Sequence, residues 1–274
     1  MTDPTPPALD VDADELLRVA LDAAREAADL VKVAWRKHPA AEHKGRTDLV
    51  TRFDRESETL LHDRLTQATP YPIVGEEHGG EKALGPDART WYVDPIDGTT
   101  NFVHGHPFWC VSVGLLAGTR PLVGAVVAPA LGTEWTAVVG REAKRNGEVC
   151  RVSSVARIED ALLATGFPYD RSSNLENNFD AFVAIKKKAQ AVRRCGSAAL
   201  DLCLVADGTY DGYWENKLKV WDVAAGTAIV LAAGGRVSNY VGDRADVNVG
   251  QIIATNGHLH DPLIEELNDV ARRR

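Results

Sequence analysis

Apolar positions recur three or four apart over residues 14–37, where Leu17, Leu21, Ala24, Ala28, Val31 and Trp35 share one face. That period predicts an amphipathic helix, which His38-Pro39 ends. A polar loop, residues 42–48, carries Lys44, Gly45 and Arg46. A second helix is predicted from about Thr51 to Gln67, broken by Pro70 and Pro72. Ile73-Val74 reads as a short strand that runs into Gly75-Glu76-Glu77, and Trp91-Tyr92-Val93 as the last part of a buried strand. Farther on, residues 111–116 and 122–127 are apolar runs separated by Ala117-Gly118-Thr119-Arg120-Pro121, a hairpin pattern. Residues 134–139 read as a third strand, and Asn146-Gly147 as a second tight turn before residues 149–152.

From about Ile158 strands and helices alternate again. Residues 161–165 read as a strand and 176–189 as a helix. Gly196-Ser197 opens another helix to about Val205, and 210–214 is an aromatic-rich strand. Trp221-Asp222 begins an Ala-rich helix closed by Gly234-Gly235. Short strands at 237–238 and 252–255 precede a terminal helix over 262–273. Helices and sheets therefore come in blocks, which points to a layered α/β arrangement rather than a bundle or a barrel. A boundary near residue 155 divides residues 11–155 from 156–274. No flexible linker marks it, so the two parts are expected to share an interface. Residues 1–10 are Pro-rich and polar without an apolar stretch. They are expected to be a disordered tail and not a signal peptide.

Composition narrows the function classes. A net charge of -8 over 274 residues argues against non-specific nucleic-acid binding, which needs a basic surface. It leaves phosphorylated substrates open, because bound metals invert a local potential. Cys110, Cys150, Cys195 and Cys203 form no CxxC pair and read as reduced thiols, which with the polar N-terminus predicts a cytoplasmic protein. No apolar run approaches the length of a membrane span.

The chemistry concentrates in Asp94-Pro95-Ile96-Asp97-Gly98-Thr99-Thr100-Asn101-Phe102. Asp-Pro and Asp-Gly turn the chain at the end of a strand, so two carboxylates emerge into one small volume. Like charges that close need protons or cations, and oxygen-only ligands suit a hard cation such as Mg²⁺. Gly98, Thr99 and Thr100 then open a helix whose backbone N–H groups suit an anion. A metal site beside an anion site suggests phosphate chemistry. Each acidic group also has a plainer reading. Glu76-Glu77 alone is an ordinary solvated turn, Asp94 and Asp97 alone are turn caps, and Asp222 alone is a helix N-cap.

Gly75-Glu76-Glu77, the Asp94–Asp97 segment and Trp221-Asp222-Val223-Ala224-Ala225-Gly226, in that order and spacing, resemble the inositol monophosphatase family of metal-dependent, lithium-sensitive phosphatases. The likeness runs from about Ala13 to the C-terminus. Ala164-Thr165-Gly166-Phe167-Pro168 and the stretch from Gly196 to Leu202 resemble its bacterial branch. The resemblance implies the layered α-β-α-β-α sandwich of the sugar-phosphatase type, two to three Mg²⁺ ions per site and a homodimer. It implies that Asp94 bridges two metals, with Glu76 and the Ile96 carbonyl completing the first and Asp97 and Asp222 the second. It further implies that Glu76 and Thr99 activate the attacking water, and that the Gly98 and Thr99 amides receive the phosphate. Ser197, Ala198, Glu215, Asp97 and Asp222 match the substrate pocket, and Lys44 matches a mobile loop that closes over it.

The implied reaction is hydrolysis of inositol 1-phosphate or a related polyol phosphate. Histidinol phosphate, fructose 1,6-bisphosphate, NADP and nucleotide 3′-phosphates are alternatives within the same family, and a regulatory protein partner in the transcription machinery is an alternative of another class. Phe167-Pro168-Tyr169-Asp170 departs from members that carry Ser there, which leaves substrate contacts from this loop open. Arg193-Arg194 reads either as a subunit contact or as a solvated pair. His104 and His106 read as structural, and His62 and His78 as surface residues.

Overall fold

The computed structural model describes residues 13–45, 47–243 and 250–273. The expected tail and Arg46 of the polar loop lie outside the described residues. Helix α1 (Ala13–Lys32) buries Leu16, Ala20, Ala24, Ala27 and Val31 along one stripe, as the period predicts. It stops before residue 37 because the chain turns at Arg36 and His38, both at positive φ (63° and 50°). The polar loop is a small antiparallel hairpin, β1 (Ala41–His43) with β2 (Leu49–Thr51). Thr51 then caps α2 (Arg52–Ala68) through a capping box with Asp54.

Strands β3 (Ile73–Gly75), β4 (Arg89–Asp97), β5 (Cys110–Ala117), β6 (Arg120–Ala128), β7 (Thr133–Val138), β8 (Lys144–Arg145) and β9 (Glu148–Val149) form one seven-stranded sheet in that order. Only the β3–β4 pair is parallel; β5–β6 and β8–β9 form at the turns read from the sequence, and β4–β5, β6–β7 and β7–β8 are further antiparallel pairs. Helix α3 (Thr99–Val103) follows β4 and is a short one of five residues.

A second sheet has the order β11 (Ala191–Arg193), β10 (Leu162–Thr165), β12 (Gly212–Glu215), β14 (Ile252–Thr255), β13 (Arg236–Ser238). Between its strands run α4 (Phe179–Lys186), α5 (Ala198–Ala206) and α6 (Val220–Ala232), and α7 (His260–Arg272) closes the described chain. Strand β11 was not legible in the sequence: it is three residues long and sits at an edge. Helix α4 starts later than residue 176 because Asn178 is drawn inward. Its Nδ2 donates to Thr165 Oγ1 and the Gly166 carbonyl, and its Oδ1 accepts from Trp214 Nε1.

The layers follow from which faces are apolar. Helices α1 and α2 pack on one face of the first sheet. The other face meets α6 and α5, whose far side meets the second sheet. Helices α4 and α7 cover the second sheet's outer face. The result is an α-β-α-β-α sandwich. Helix α6 lies unusually close to β5 and β6. A Cβ on Gly124 would stand 2.3 Å from the Ala225 carbonyl oxygen, so only glycine admits this approach. No helix among the described residues is long and apolar enough to cross a membrane.

Candidate active site

Asp94 and Asp97 are three residues apart, so in a regular strand they would point to opposite faces. They do not, because the β4–β5 register shifts between them. Pro95 has no N–H to give the ladder, and such an irregularity re-aims side chains. Both carboxylates therefore line one cleft of about 270 Å³. Glu76 enters it from the turn after β3, and Asp222 from the first turn of α6. Ile96, Gly98, Thr99, Ser197, Ala198, Glu215 and Lys44 line the same cleft. Every candidate residue named from the sequence is thus brought to one place.

The protein's own groups hold these side chains. Asp97 Oδ2 accepts from Ser197 Oγ at 2.7 Å and from the Ala199 amide at 2.6 Å, both at the start of α5. Asp222 Oδ2 accepts from the Lys219 amide at 2.7 Å, so it caps α6 while facing the cleft. Asp94 Oδ1 accepts from the Ile96 amide at 3.0 Å. Lys44 Nζ stands 3.0 Å from Glu76 Oε1 and also meets Glu77. Tyr213 donates to Glu215 Oε2 at 2.6 Å.

Negative charge is costly here. Burial, then the neighbouring Glu76, Asp97 and Asp222, pushes Asp94 well above the ordinary carboxylate range. Burial with Asp97 and Glu76 does the same to Asp222. Burial lifts Glu76 to about 7 although Lys44 opposes it, and lifts Asp97 to about 6 against its hydrogen bonds. Glu215 rises to about 7, again by burial. A shared excess of buried oxygen donors fits a hard divalent cation. Among the described residues, no three His, Cys, Asp or Glu side chains close into a finished coordination cluster. Each carboxylate keeps free lone pairs beyond the contacts above, because it can accept about four hydrogen bonds. In donor chemistry the cleft therefore fits Mg²⁺.

Three neighbours escaped sequence reasoning. Asp54 is fully buried, and its Oδ1 lies 3.1 Å from Thr99 Oγ1, which is also 3.0 Å from the Ile96 carbonyl. Burial raises Asp54 to about 6. Asp54 also completes the capping box of α2 with Thr51. Glu58, also fully buried, accepts from the Glu77 amide (2.8 Å), the His78 amide (2.7 Å) and His78 Nδ1 (3.1 Å). It fastens the turn that carries Glu76, and a Cβ on Gly75 would lie 2.2 Å from its Oε1. Its spacing four after Asp54 on α2 was the available signal.

Arg194 is the third. It lines the cleft, and its charge eases the ionisation of Asp97 and Glu215. It is exposed, as the solvated reading of the Arg193-Arg194 doublet expects, and it also faces the cleft. His78 is exposed but bound to Glu58, so it is more than a surface residue. Phe167, Pro168 and Tyr169 line the cleft, while Asp170 pairs with Lys217 at 2.7 Å.

Comparison with known proteins gives the family and the fold. The sequence profile of the inositol monophosphatase family matches residues 12–272. An inositol-1-monophosphatase of Synechocystis is 39% identical over 257 residues, covering 93% of this chain and 90% of its own. Inositol monophosphatase 2 of Solanum lycopersicum is 40% identical over 263 residues, covering 93% and 99%. A Pseudomonas aeruginosa protein named Nus factor SuhB is 39% identical over 247 residues, covering 88% and 91%. Among solved structures, an inositol monophosphatase from Anabaena superposes with a TM-score of 0.86 at 35% identity, covering 94% of this chain and 97% of that one.

Proposed function

Because the chain belongs to the inositol monophosphatase family, we propose that this phosphatase hydrolyses inositol 1-phosphate, or a related polyol phosphate, with the help of Mg²⁺. One observation carries the reading. Carboxylates from three separate stretches, at Glu76, at Asp94 and Asp97, and at Asp222, share one cleft in which their neighbours make Asp94 and Asp222 harder to ionise. Glu76, Asp94, Asp97, Asp222 and the Ile96 carbonyl are the groups that would hold two or three ions. Bound there, Mg²⁺ would neutralise the phosphate dianion and lower the pKa of a water.

The chain's own residues do the rest. The Thr99 hydroxyl, fixed between Asp54 and the Ile96 carbonyl, orients the attacking water together with Glu76. The Gly98 and Thr99 amides receive phosphate oxygens at the start of α3. Glu215, steadied by Tyr213 and flanked by Ser197 and Ala198, accepts hydroxyl protons of the polyol. Lys44 on the β1–β2 hairpin is the one ammonium paired with Glu76 among the described residues, and it closes the mouth of the cleft.

Phosphate release from a panel of monoesters, with Mg²⁺, after EDTA and with added Li⁺, tests this. Turnover of inositol 1-phosphate that needs Mg²⁺ and falls with Li⁺ is expected; turnover unaffected by EDTA would refute the metal assignment. The homodimer belongs to the same proposal, and sedimentation velocity checks it. The relative named Nus factor SuhB favours a second reading, a regulatory partner. A pull-down that captures the same transcription proteins with wild-type and Asp94→Asn chains would support it.

A further inference from the structure

We propose that Tyr169 sets the shape of alcohol this enzyme accepts. Its aromatic ring covers the C–H face of a cyclic polyol phosphate, so ring alcohols are preferred over open-chain ones. This rests on the phosphatase reading above and adds to it a residue that selects among polyol phosphates.

The carboxylate cleft is lined in two ways. Glu215 and Ser197 offer oxygen to hydroxyls, whereas Phe167, Pro168, Tyr169 and Trp221 offer mainly carbon. A cyclitol is built to match. Its equatorial hydroxyls crowd the rim, and its axial C–H groups form the faces. Sites for small molecules commonly join a few polar groups to apolar and aromatic cover in this way.

Exposure singles out Tyr169 within that apolar part. Phe167 is already covered, since its ring packs on Phe179 and Phe182 with centroids 5.0 and 5.6 Å apart. Tyr169 is 62% exposed. It lines the carboxylate cleft and also a second, adjoining cleft of about 410 Å³, which has no Asp or Glu among its described lining residues. Much of the open space beside its ring is therefore cleft space. A bare aromatic ring gains free energy when apolar surface covers it. The ring also stands at the reacting end. Burial, then the carboxylates of Asp48, Asp222, Glu76 and Asp97, push its phenol above the ordinary range. Gly98 and Thr99, whose amides are assigned to the phosphate, line both clefts with it. A side chain so placed flanks the alcohol of a phosphate held there.

The segment that carries Tyr169 is fastened on both sides. Thr47 Oγ1 donates to the Tyr169 carbonyl at 3.2 Å, and the Arg171 amide to the Pro168 carbonyl at 3.1 Å. Lys217 Nζ holds Asp170 at 2.7 Å. The wall is therefore preorganised and loses little freedom when a substrate lies on it. A cyclitol is rigid as well. An open chain of similar composition must freeze several rotors to lay its C–H groups on the same ring, which is why shape decides the preference.

The test compares inositol 1-phosphate with sorbitol 6-phosphate, which has as many carbons and free hydroxyls but no ring. Phosphate release is followed on the full chain with Mg²⁺. In the wild type kcat/KM is expected to be at least about fivefold higher for inositol 1-phosphate. Tyr169→Ala should shrink that ratio at least about fivefold, through KM more than through kcat. Its melting temperature should not change, because the side chain is largely exposed. Tyr169→Phe keeps the ring and loses the hydroxyl, and should hold the ratio within about twofold. A wild type without the preference, a Tyr169→Ala loss equal for both substrates, or a Tyr169→Phe variant as impaired as Tyr169→Ala would overturn the proposal. If inositol 1-phosphate is hydrolysed but the ratio does not move, this inference alone fails. If no monoester is hydrolysed, the phosphatase reading fails with it.

Discussion

Asp94 shows how a single side chain gathers a site around itself. It is buried, 2% exposed, and feels four other carboxylates, Glu76, Asp97, Asp222 and Asp54, so its charge is tolerable only beside cations. Asp94→Asn keeps the shape and removes the charge. Phosphate release should fall by about 10²-fold or more, on the scale of losing a preorganised electrostatic group, with an unchanged circular dichroism spectrum. Glu58 makes the complementary point, because it touches no substrate. In Glu58→Gln one of the two oxygens becomes an NH₂, so either the Glu77 amide or the His78 amide meets a donor in place of its acceptor. The expected cost is about 1–3 kcal/mol in denaturant unfolding, with a raised Mg²⁺ half-saturation as the Glu76 turn loosens. At this scale the sequence displayed Glu76, Asp94, Asp97 and Asp222 through their motifs. Asp54, Glu58 and Arg194 stayed hidden, since a cap, a helical glutamate and a basic doublet have ordinary local explanations.

Among the elements, α6 and α7 carry the clearest consequences. Gly124 of β6 lets α6 settle against the sheet, and the same helix presents Asp222. Gly124→Ala would force backbone from backbone, at an overpacking cost of about 1–3 kcal/mol. Activity should fall further than this loss alone explains, because Asp222 moves with the helix; thermal unfolding and phosphate release measured on one preparation separate the two. Helix α7 begins at His260, which is fully buried between the hydroxyls of Ser238 and Thr255. Burial lowers its pKa from 6.5 to about 4. Between those values the unfolded chain binds a proton that the folded chain refuses, so stability falls as pH falls from about 6.5 towards 4. The contribution is on the order of 3 kcal/mol. Denaturant unfolding at several pH values should show a shallower slope in His260→Gln than in the wild type. Long apolar periods made α1, α2 and the β5–β6–β7 meander readable. The β1–β2 hairpin and β11 were not, for strands of three residues carry too little pattern.

For the whole molecule, the layered sandwich seats a highly acidic cleft where both sheets and α5 and α6 meet. Divalent ions that bind there should stabilise the fold as well as enable turnover. Millimolar Mg²⁺ is expected to raise the melting temperature, and EDTA to lower it and stop phosphate release, with recovery on adding Mg²⁺ back. Differential scanning fluorimetry beside a phosphate assay checks both. The sequence by itself determined the class of chemistry and most of the elements. Periodicity, turn residues and motif identity are local, and they survive without coordinates. Only the tertiary structure decided that Asp94 and Asp97 turn to the same side, since that depends on a register shift between β4 and β5. It alone put Asp222 opposite Glu76, fastened the Glu76 turn to Glu58 and opened an acid-free cleft beside the acidic one. Those placements come from packing between residues far apart in the chain, and no window of sequence contains that information.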